Sequence, residues 1–198
     1  MLKIILATRN SGKIKEMKVK LKEYPVIVEC LIDYPEIPEI EEIGKTFAEN
    51  ASIKAKEVAK WTNLPALADD SGLEIDYIGK KPGIYSSRWG STDQERIKKV
   101  LDVLQNTKNE QRGARFVCAM SLVIPEQRNY RTKGICSGRI TLSPKGTEGF
   151  GYDPIFVPDG YDQTFAELGV NIKNRISHRA VALEKMINII VDYFKLNK

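Results

Sequence analysis

Two adjacent carboxylates, Asp69 and Asp70, follow the apolar pair Leu67-Ala68 and precede Ser71-Gly72-Leu73. Like charges side by side repel each other unless a cation or a shared proton relieves them. The residues before them read as a buried strand, Pro65 to Ala68, which delivers the pair to the rim of a sheet before Ser71 and Gly72 turn the chain. In open α/β sheets ligands bind at strand ends. A hard cation such as Mg²⁺ prefers oxygen donors and commonly takes one or two carboxylates completed by phosphate oxygens. A polar turn, with Asp69 capping and Asp70 facing water, accounts for the same residues without chemistry.

A second stretch is built for anions. The apolar run Lys3 to Ala7 leads into Thr8-Arg9-Asn10-Ser11-Gly12-Lys13, after which Ile14, Met17, Val19 and Leu21 take up a loosely helical spacing. Strand, small polar loop, then helix points backbone N–H groups at a negative group, and Lys13 adds a point charge. The stretch is not a P-loop, because the first glycine is missing and Ile14 stands where Ser or Thr would bind magnesium. The chemistry-free alternative is a helix with Ser11 as N-cap. Between Asp33 and Glu42 two prolines and the carboxylates Glu36, Glu39, Glu41 and Glu42 describe an acidic loop, able to bring a carboxylate to a metal. Gly44 to Asn50 opens a helix in which Thr46 and Glu49 form a capping box. Phe47, Ala51, Ala55, Val58 and Ala59 line its buried face, while Asn50 and Lys54 share another.

Two further clusters lie late in the chain. In Gly149-Phe150-Gly151-Tyr152-Asp153-Pro154 glycines let backbone approach a planar ligand and aromatics can stack on a base; a loop whose aromatics plug the core is the competing reading. Near the end, Lys173 to Arg179 precedes a helix with Ser177 as N-cap, which places the only histidine, His178, and Arg179 in its first turn. Cations are disfavoured there by the helix dipole, so the pair suggests an anionic or carbonyl-bearing partner.

The elements that must position these residues alternate strand and helix. Val26 to Leu31 reads as a strand, as does the alternating Leu73, Ile75, Tyr77; Asp93 to Gln105 is an amphipathic helix; Arg115 to Ile124 and Tyr130 to Leu142 form long β runs joined by a hairpin at Pro125 to Asn129; and Ile155 to Val157 is a short strand. The 198 residues suit one domain, and no apolar run approaches the ~20 residues that span a bilayer. Met1 to Ala7 is too short for a signal peptide. The net charge of +5 suits an anionic partner; spread along the chain with no dense basic block, it leaves a polyanion-binding surface unsupported, and a small phosphorylated ligand satisfies the same observation. Cys30, Cys118 and Cys136 show no Cys-x-x-Cys spacing and fit buried thiols in a reducing cytoplasm.

Taken in order, these stretches resemble the inosine/xanthosine triphosphate pyrophosphatase family over nearly the whole chain. The family's Thr-x-Asn-x-x-Lys is met by Thr8, Asn10 and Lys13, and its Glu-x-Gly-x-Thr-Phe-x-x-Asn by Glu42, Gly44, Thr46, Phe47 and Asn50. Asp-Asp-Ser-Gly-Leu stands at Asp69 to Leu73, Pro-Gly-x-x-Ser-x-Arg at Pro82 to Arg88, Gly-Phe-Gly-Tyr-Asp-Pro at Gly149 to Pro154, and Ile-Ser-His-Arg at Ile176 to Arg179. One departure is Ile172, where the family often carries an acidic residue before the lysine.

The resemblance implies Mg²⁺-dependent hydrolysis of ITP, dITP or XTP to the monophosphate and pyrophosphate by a cytoplasmic homodimer. It implies that Thr8, Arg9, Asn10, Ser11, Gly12 and Lys13 hold the triphosphate with Lys54, that Glu42 and Asp70 bind Mg²⁺, and that Asp70 is the general base. Ser71 then contacts substrate, Phe150, Gly151, Tyr152 and Asp153 frame the nucleoside, and Lys173, His178 and Arg179 close on the base. The expected fold is α/β: an elongated mixed sheet flanked by helices, in a single domain (1–198) of two lobes with the active site in the cleft between them. Two alternatives stand beside it, a pyrophosphatase for other modified nucleotides and a non-enzymatic nucleotide- or RNA-binding protein.

Overall fold

Residues 1–126 and 128–196 are described by a computed structural model. The chain begins with β1 (Leu2–Leu6), α1 (Ser11–Leu21) and β2 (Val26–Cys30), crosses the acidic loop, and enters α2 (Phe47–Thr62) and β3 (Ala66–Ile75). There follow β4 (Lys81–Pro82), α3 (Asp93–Val103), β5 (Gly113–Ile124), β6 (Arg128–Ile140), β7 (Phe156–Pro158), α4 (Phe165–Ile176) and α5 (His178–Phe194). The strands form one mixed sheet in the order β2-β1-β3-β5-β6-β7, with β4 paired to β3. β1 runs parallel to both β2 and β3, whereas β4 is antiparallel to β3 and β7 to β6. The expected mixed α/β sheet flanked by helices is therefore present.

Several local expectations change. Asp69 and Asp70 do not end a strand: β3 runs through them to Ile75. Its parallel neighbour stops first, since β1 pairs Ile5 with Ala66 and Leu6 with Leu67 and ends there. The carboxylates thus sit beyond the end of β1 without a turn of their own. The N-cap of α1 is Asn10 rather than Ser11, its Oδ1 accepting the Lys13 N–H at 3.0 Å. Thr46 does cap α2, but Glu49 reaches back to the N–H of Lys45 instead of closing the box on Thr46. Helix α4 is an element that sequence periodicity does not assign; Thr164 and Glu167 cap it reciprocally and Gly169, at φ +79°, kinks it. The expected hairpin between β5 and β6 includes Gln127, which lies outside the described residues.

The chain divides into two compact units. The first comprises Met1–Asp70, Cys118–Lys133 and the chain from Val181 onward; the second comprises Ser71–Val117 and Gly134–Ala180. In the first unit the sheet is covered by two apolar clusters of different grain. One is bulky: Ile4, Leu6, Met17, Leu21 and Leu67 pack with Leu183, Met186 and Ile190. The other is built from small residues, with Ala55, Val58 and Ala59 of α2 against Ile5, Ala7, Ala66 and Ala68. Small side chains on both surfaces let the helix backbone approach the strand closely. In the second unit a single cluster gathers Leu73, Ile75, Val100, Leu104, Phe116, Phe156 and Phe165. Buried Arg112 braces that unit by donating to the carbonyls of Leu104, Ile140 and Thr141 at 2.7–2.9 Å.

No helix among the described residues is long and apolar enough to cross a membrane. The close seat of α2 is testable. Ala55 is fully buried, so Ala55→Leu overpacks the contact and should cost about 1–3 kcal/mol in urea unfolding; an unchanged midpoint would show that the helix has room to spare.

Candidate functional site

Successive side chains of a strand point to opposite faces, and this divides the two aspartates. Leu67 belongs to the bulky cluster and Ala66 and Ala68 to the small-residue cluster. Asp69 accordingly meets Lys13 of α1, with Nζ 3.0 Å from Oδ2. Asp70 meets α2, accepting from Asn50 Nδ2 at 3.0 Å through Oδ2, with Lys54 Nζ 3.9 Å from Oδ1. Lys54 Nζ also donates to Glu42 Oε1 at 2.6 Å, which ties the end of the acidic loop to the same cluster. Asn50 Oδ1 in turn accepts the Gly44 N–H at 2.8 Å.

Charge is concentrated here. Glu42, Asp69 and Asp70 are three carboxylates beside the two ammonium groups of Lys13 and Lys54. Burial pushes the Asp70 carboxyl above the usual range; Lys54 pulls it down, Glu42 pushes it further up, and Lys13 and the Asn50 amide lower it, leaving it raised. For Lys54 burial acts to lower the value, but Asp70, Asp69 and Glu42 outweigh it and hold the ammonium above its ordinary range. Among the described residues no group of three or more His, Cys, Asp or Glu side chains is arranged as a complete metal shell. Glu42 and Asp70 supply a two-carboxylate donor set, which suits a hard cation whose remaining ligands are water and phosphate.

Beside these carboxylates α1 begins. Its first amides have no acceptor inside the helix, and Ser11 and Gly12 are its opening residues. Thr8 Oγ1 accepts the Asn10 N–H at 3.1 Å, so Thr8 and Asn10 shape the turn itself. Arg9 points elsewhere: its guanidinium donates to Ile37 O at 2.6 Å and to Tyr34 O at 3.5 Å, pinning the early part of the acidic loop, where Ile37 is buried.

The second unit holds the remaining predicted residues. Asp153 is buried and accepts the Phe150 N–H at 2.9 Å and Lys173 Nζ at 2.5 Å, both through Oδ2. Gly149 has φ +82°, and a Cβ there would lie 2.1 Å from Asp153 Oδ2, so only glycine fits. Lys173, in the last turn of α4, stands 4.2 Å over the Phe150 ring, and the Arg179 guanidinium carbon 5.7 Å from the same ring. Arg179 also donates to Ser71 Oγ at 2.9 Å. His178 is buried with its ring stacked on Phe116, centroids 4.7 Å apart and planes 11° apart. Ser177 caps α5 as expected, accepting the Ala180 N–H at 3.2 Å.

Tyr152 is turned into the core, where its hydroxyl donates to Ser86 O at 2.8 Å and burial pushes its pKa up. Of the four residues expected to frame the nucleoside, Phe150 and Gly151 are partly exposed. Two contributors escape sequence reasoning. Asp93, the first residue of α3, accepts the Gly151 N–H at 2.7 Å and pairs with Arg96. Burial acts to raise the Asp93 carboxyl, but Arg96 and that amide hold it below the usual range. Phe116, the platform under His178, reads in sequence as an ordinary inward strand residue.

The raised Asp70 carboxyl has a consequence for stability. A group whose folded pKa lies above its unfolded value destabilises the protein when both states are ionised and has no effect when both are protonated. Asp70→Asn should therefore raise the melting temperature at pH 7, and the gain should vanish as the pH falls through the ordinary aspartate range near about 3.9. Thermal unfolding of both proteins across pH 3–8 checks this; a loss of stability at pH 7 would mean that the Lys54 contact outweighs the cost of burial.

Residues 4–189 match the profile of the Ham1 family. The chain is 47% identical to a dITP/XTP pyrophosphatase of Bacillus licheniformis over 189 residues, 94% of this chain and 96% of that protein. A HAM1 protein from Coxiella burnetii is similar in structure, with a TM-score of 0.87 and 42% identity over 97% of this chain and all of that one. A nucleoside-triphosphatase, dITP/XTP pyrophosphatase, from Mycobacterium abscessus superposes with a TM-score of 0.76 at 41% identity, covering 93% and 98%. With a family profile and near-full-length relatives in agreement, the chain belongs to the Ham1 family.

Proposed function

We propose that this protein hydrolyses non-standard purine nucleoside triphosphates (ITP, dITP and XTP) to the monophosphate and pyrophosphate. The observation that carries this reading is the cluster of Glu42, Lys13 and Lys54 around the buried Asp69 and Asp70 beside the start of α1. It combines what such a reaction needs: a base, cations for the phosphates and a helix N-terminus. Near-full-length relatives named for this activity support it.

Glu42 and Asp70 would hold Mg²⁺, whose chemistry when bound is to neutralise phosphate oxygens and stabilise the charge that develops on them. The amides of Ser11 and Gly12 and the ammonium groups of Lys13 and Lys54 receive the triphosphate. Asp70 takes a proton from water; the water oxygen bonds to the α-phosphorus as the bond from that phosphorus to the bridging oxygen breaks, and pyrophosphate leaves with the electron pair. Transfers of this type depend mostly on positioning and charge neutralisation, which these residues provide.

Phe150 offers a ring face for the base, with Lys173 and Arg179 at its edges. His178, fixed in plane by Phe116, and Arg179 supply donors for the 6-oxo acceptor of inosine and xanthosine. Adenine presents a 6-amino donor at the same place, and a donor set for an oxo group rejects it by polar mismatch. The buried thiols of Cys30, Cys118 and Cys136 suit a reducing cytoplasm, and the assembly proposed by family likeness is a homodimer.

Pyrophosphate release from ITP, XTP, GTP and ATP, with Mg²⁺ and with a chelator, tests the reading. Release from ITP and XTP alone is expected, lost on chelation and reduced about 10²–10⁴-fold in Asp70→Asn, as loss of a general base predicts. Equal rates on all four nucleotides would remove the 6-oxo selectivity. Nucleotide binding that survives chelation without any turnover would make the protein a binding module instead.

A further inference from the structure

Asn50 sits where the two proposed metal-binding carboxylates are joined to the fold. It is fully buried in the first turn of α2. Its amide faces two ways, with Oδ1 accepting the Gly44 N–H at 2.8 Å and Nδ2 donating to Asp70 Oδ2 at 3.0 Å. The orientation follows from chemistry. The Gly44 N–H can only donate, so it requires the amide oxygen and leaves the nitrogen for the carboxylate.

Both contacts carry positional information. Asn50 takes Oδ2 of Asp70 while Lys54 stands nearer Oδ1, so the two carboxylate oxygens are no longer equivalent and rotation about the Cβ–Cγ bond is restrained. The Gly44 contact fixes the backbone two residues after Glu42, whose own carboxylate rests on Lys54. Gly44 itself is shaped for this: a Cβ there would lie 2.6 Å from Asn50 Oδ1 and 2.7 Å from Glu49 Cβ. Among side chains of this length only asparagine offers a donor and an acceptor on one rigid plane. Aspartate keeps the acceptor and loses the donor, and leucine keeps the volume and loses both.

We propose that Asn50 is a positioning residue that sets Asp70 and the Glu42-bearing loop in one register, acting on the reaction through Asp70 rather than by touching substrate. Its kinetic consequence rests on the pyrophosphatase reading; its geometry does not.

The experiment therefore has two arms, on the full chain. In the first, NMR of the nucleotide- and metal-free protein follows the Asn50 side-chain NH₂ and the Gly44 amide. Slow exchange of both is expected, with the side-chain signal exchanging at least tenfold faster in Asp70→Ala and the Gly44 amide at least tenfold faster in Asn50→Leu. A side-chain NH₂ that exchanges like a solvent-exposed asparagine, or a Gly44 amide indifferent to Asn50→Leu, overturns the proposal whether or not the protein is a pyrophosphatase. In the second, kcat and KM for ITP are measured at saturating Mg²⁺. Asn50→Asp keeps the Gly44 acceptor but sets a carboxylate against Asp70; kcat should fall about 10²-fold, the scale for displacing a reacting group by about 1 Å, with KM within about threefold. A variant that keeps wild-type kcat, or loses only KM, overturns the positioning role. Inactive wild-type protein would instead refute the proposed function, and the first arm alone would then decide whether Asn50 holds Gly44 and Asp70 together.

Discussion

Charge buried on one strand organises the first unit. Asp69 and Asp70 occupy consecutive positions of β3, so the pleat sends one to each face of the sheet, and each must be compensated where it emerges. Lys13 answers on one side; Asn50 and Lys54 answer on the other. An isolated buried carboxylate is expensive enough to protonate rather than remain charged. The location of α1 and α2 relative to this strand is therefore what brings each aspartate its partner. The alanines between α2 and the sheet fit this: Asn50 is a short side chain, and Ala55, Ala59, Ala66 and Ala68 make up much of the packing where it reaches Asp70. The acidic loop depends on the same cluster, since its ends are tied by Arg9 at Ile37 and by Asn50 and Lys54 at Gly44 and Glu42.

The second unit solves a different problem with a similar device. A glycine-rich loop is floppy by composition, and a ring that must present a face needs a fixed backbone. Asp153 holds the Phe150 amide, Asp93 the Gly151 amide, and the Tyr152 hydroxyl reaches the Ser86 carbonyl, so three successive residues of the loop are each bonded elsewhere. Lys173 neutralises Asp153 and covers Phe150 in one placement. Phe116, itself packed against Phe156 and Phe165, holds the His178 ring as the carboxylates hold the loop.

What could be read in advance follows the range of the interactions. The buried face of α2, the Thr46 cap and the Ser177 cap depend on residues three or four apart, and they appear where the sequence places them. The turn expected at Asp69 to Gly72 does not exist. A local Asp-Asp-Ser-Gly pattern favours a turn, but in the sheet β3 lies between β1 and β5, and continuing the ladder outweighs the local preference. Helix α4 was illegible because Gly169 interrupts its apolar spacing. Arg9 looked like part of the phosphate turn, and only the folded loop 28 residues away reveals the carbonyl that receives it. Asp93 and Gly151 are 58 residues apart, and nothing in a helix-opening aspartate announces so distant a partner.

The cost of this arrangement bears on its purpose. Buried ion pairs rarely stabilise a fold beyond what well-packed apolar residues of similar size would, because desolvation offsets the attraction. Around β3 the same cost applies to three carboxylates and two lysines, and burial holds the Asp70 carboxyl above its usual range. A sequence selected only for stability would replace these residues with leucines and alanines like those that surround them in the two clusters. Their cost at the centre of a hydrophobic sheet points to a role other than stability. The acceptor-rich end of the cluster, at Glu42 and Asp70, is the end tied down by Asn50 and Lys54 rather than left to flexible surface side chains. Rigidly placed carboxylates are what a preorganised polar site needs and what an exposed salt bridge does without.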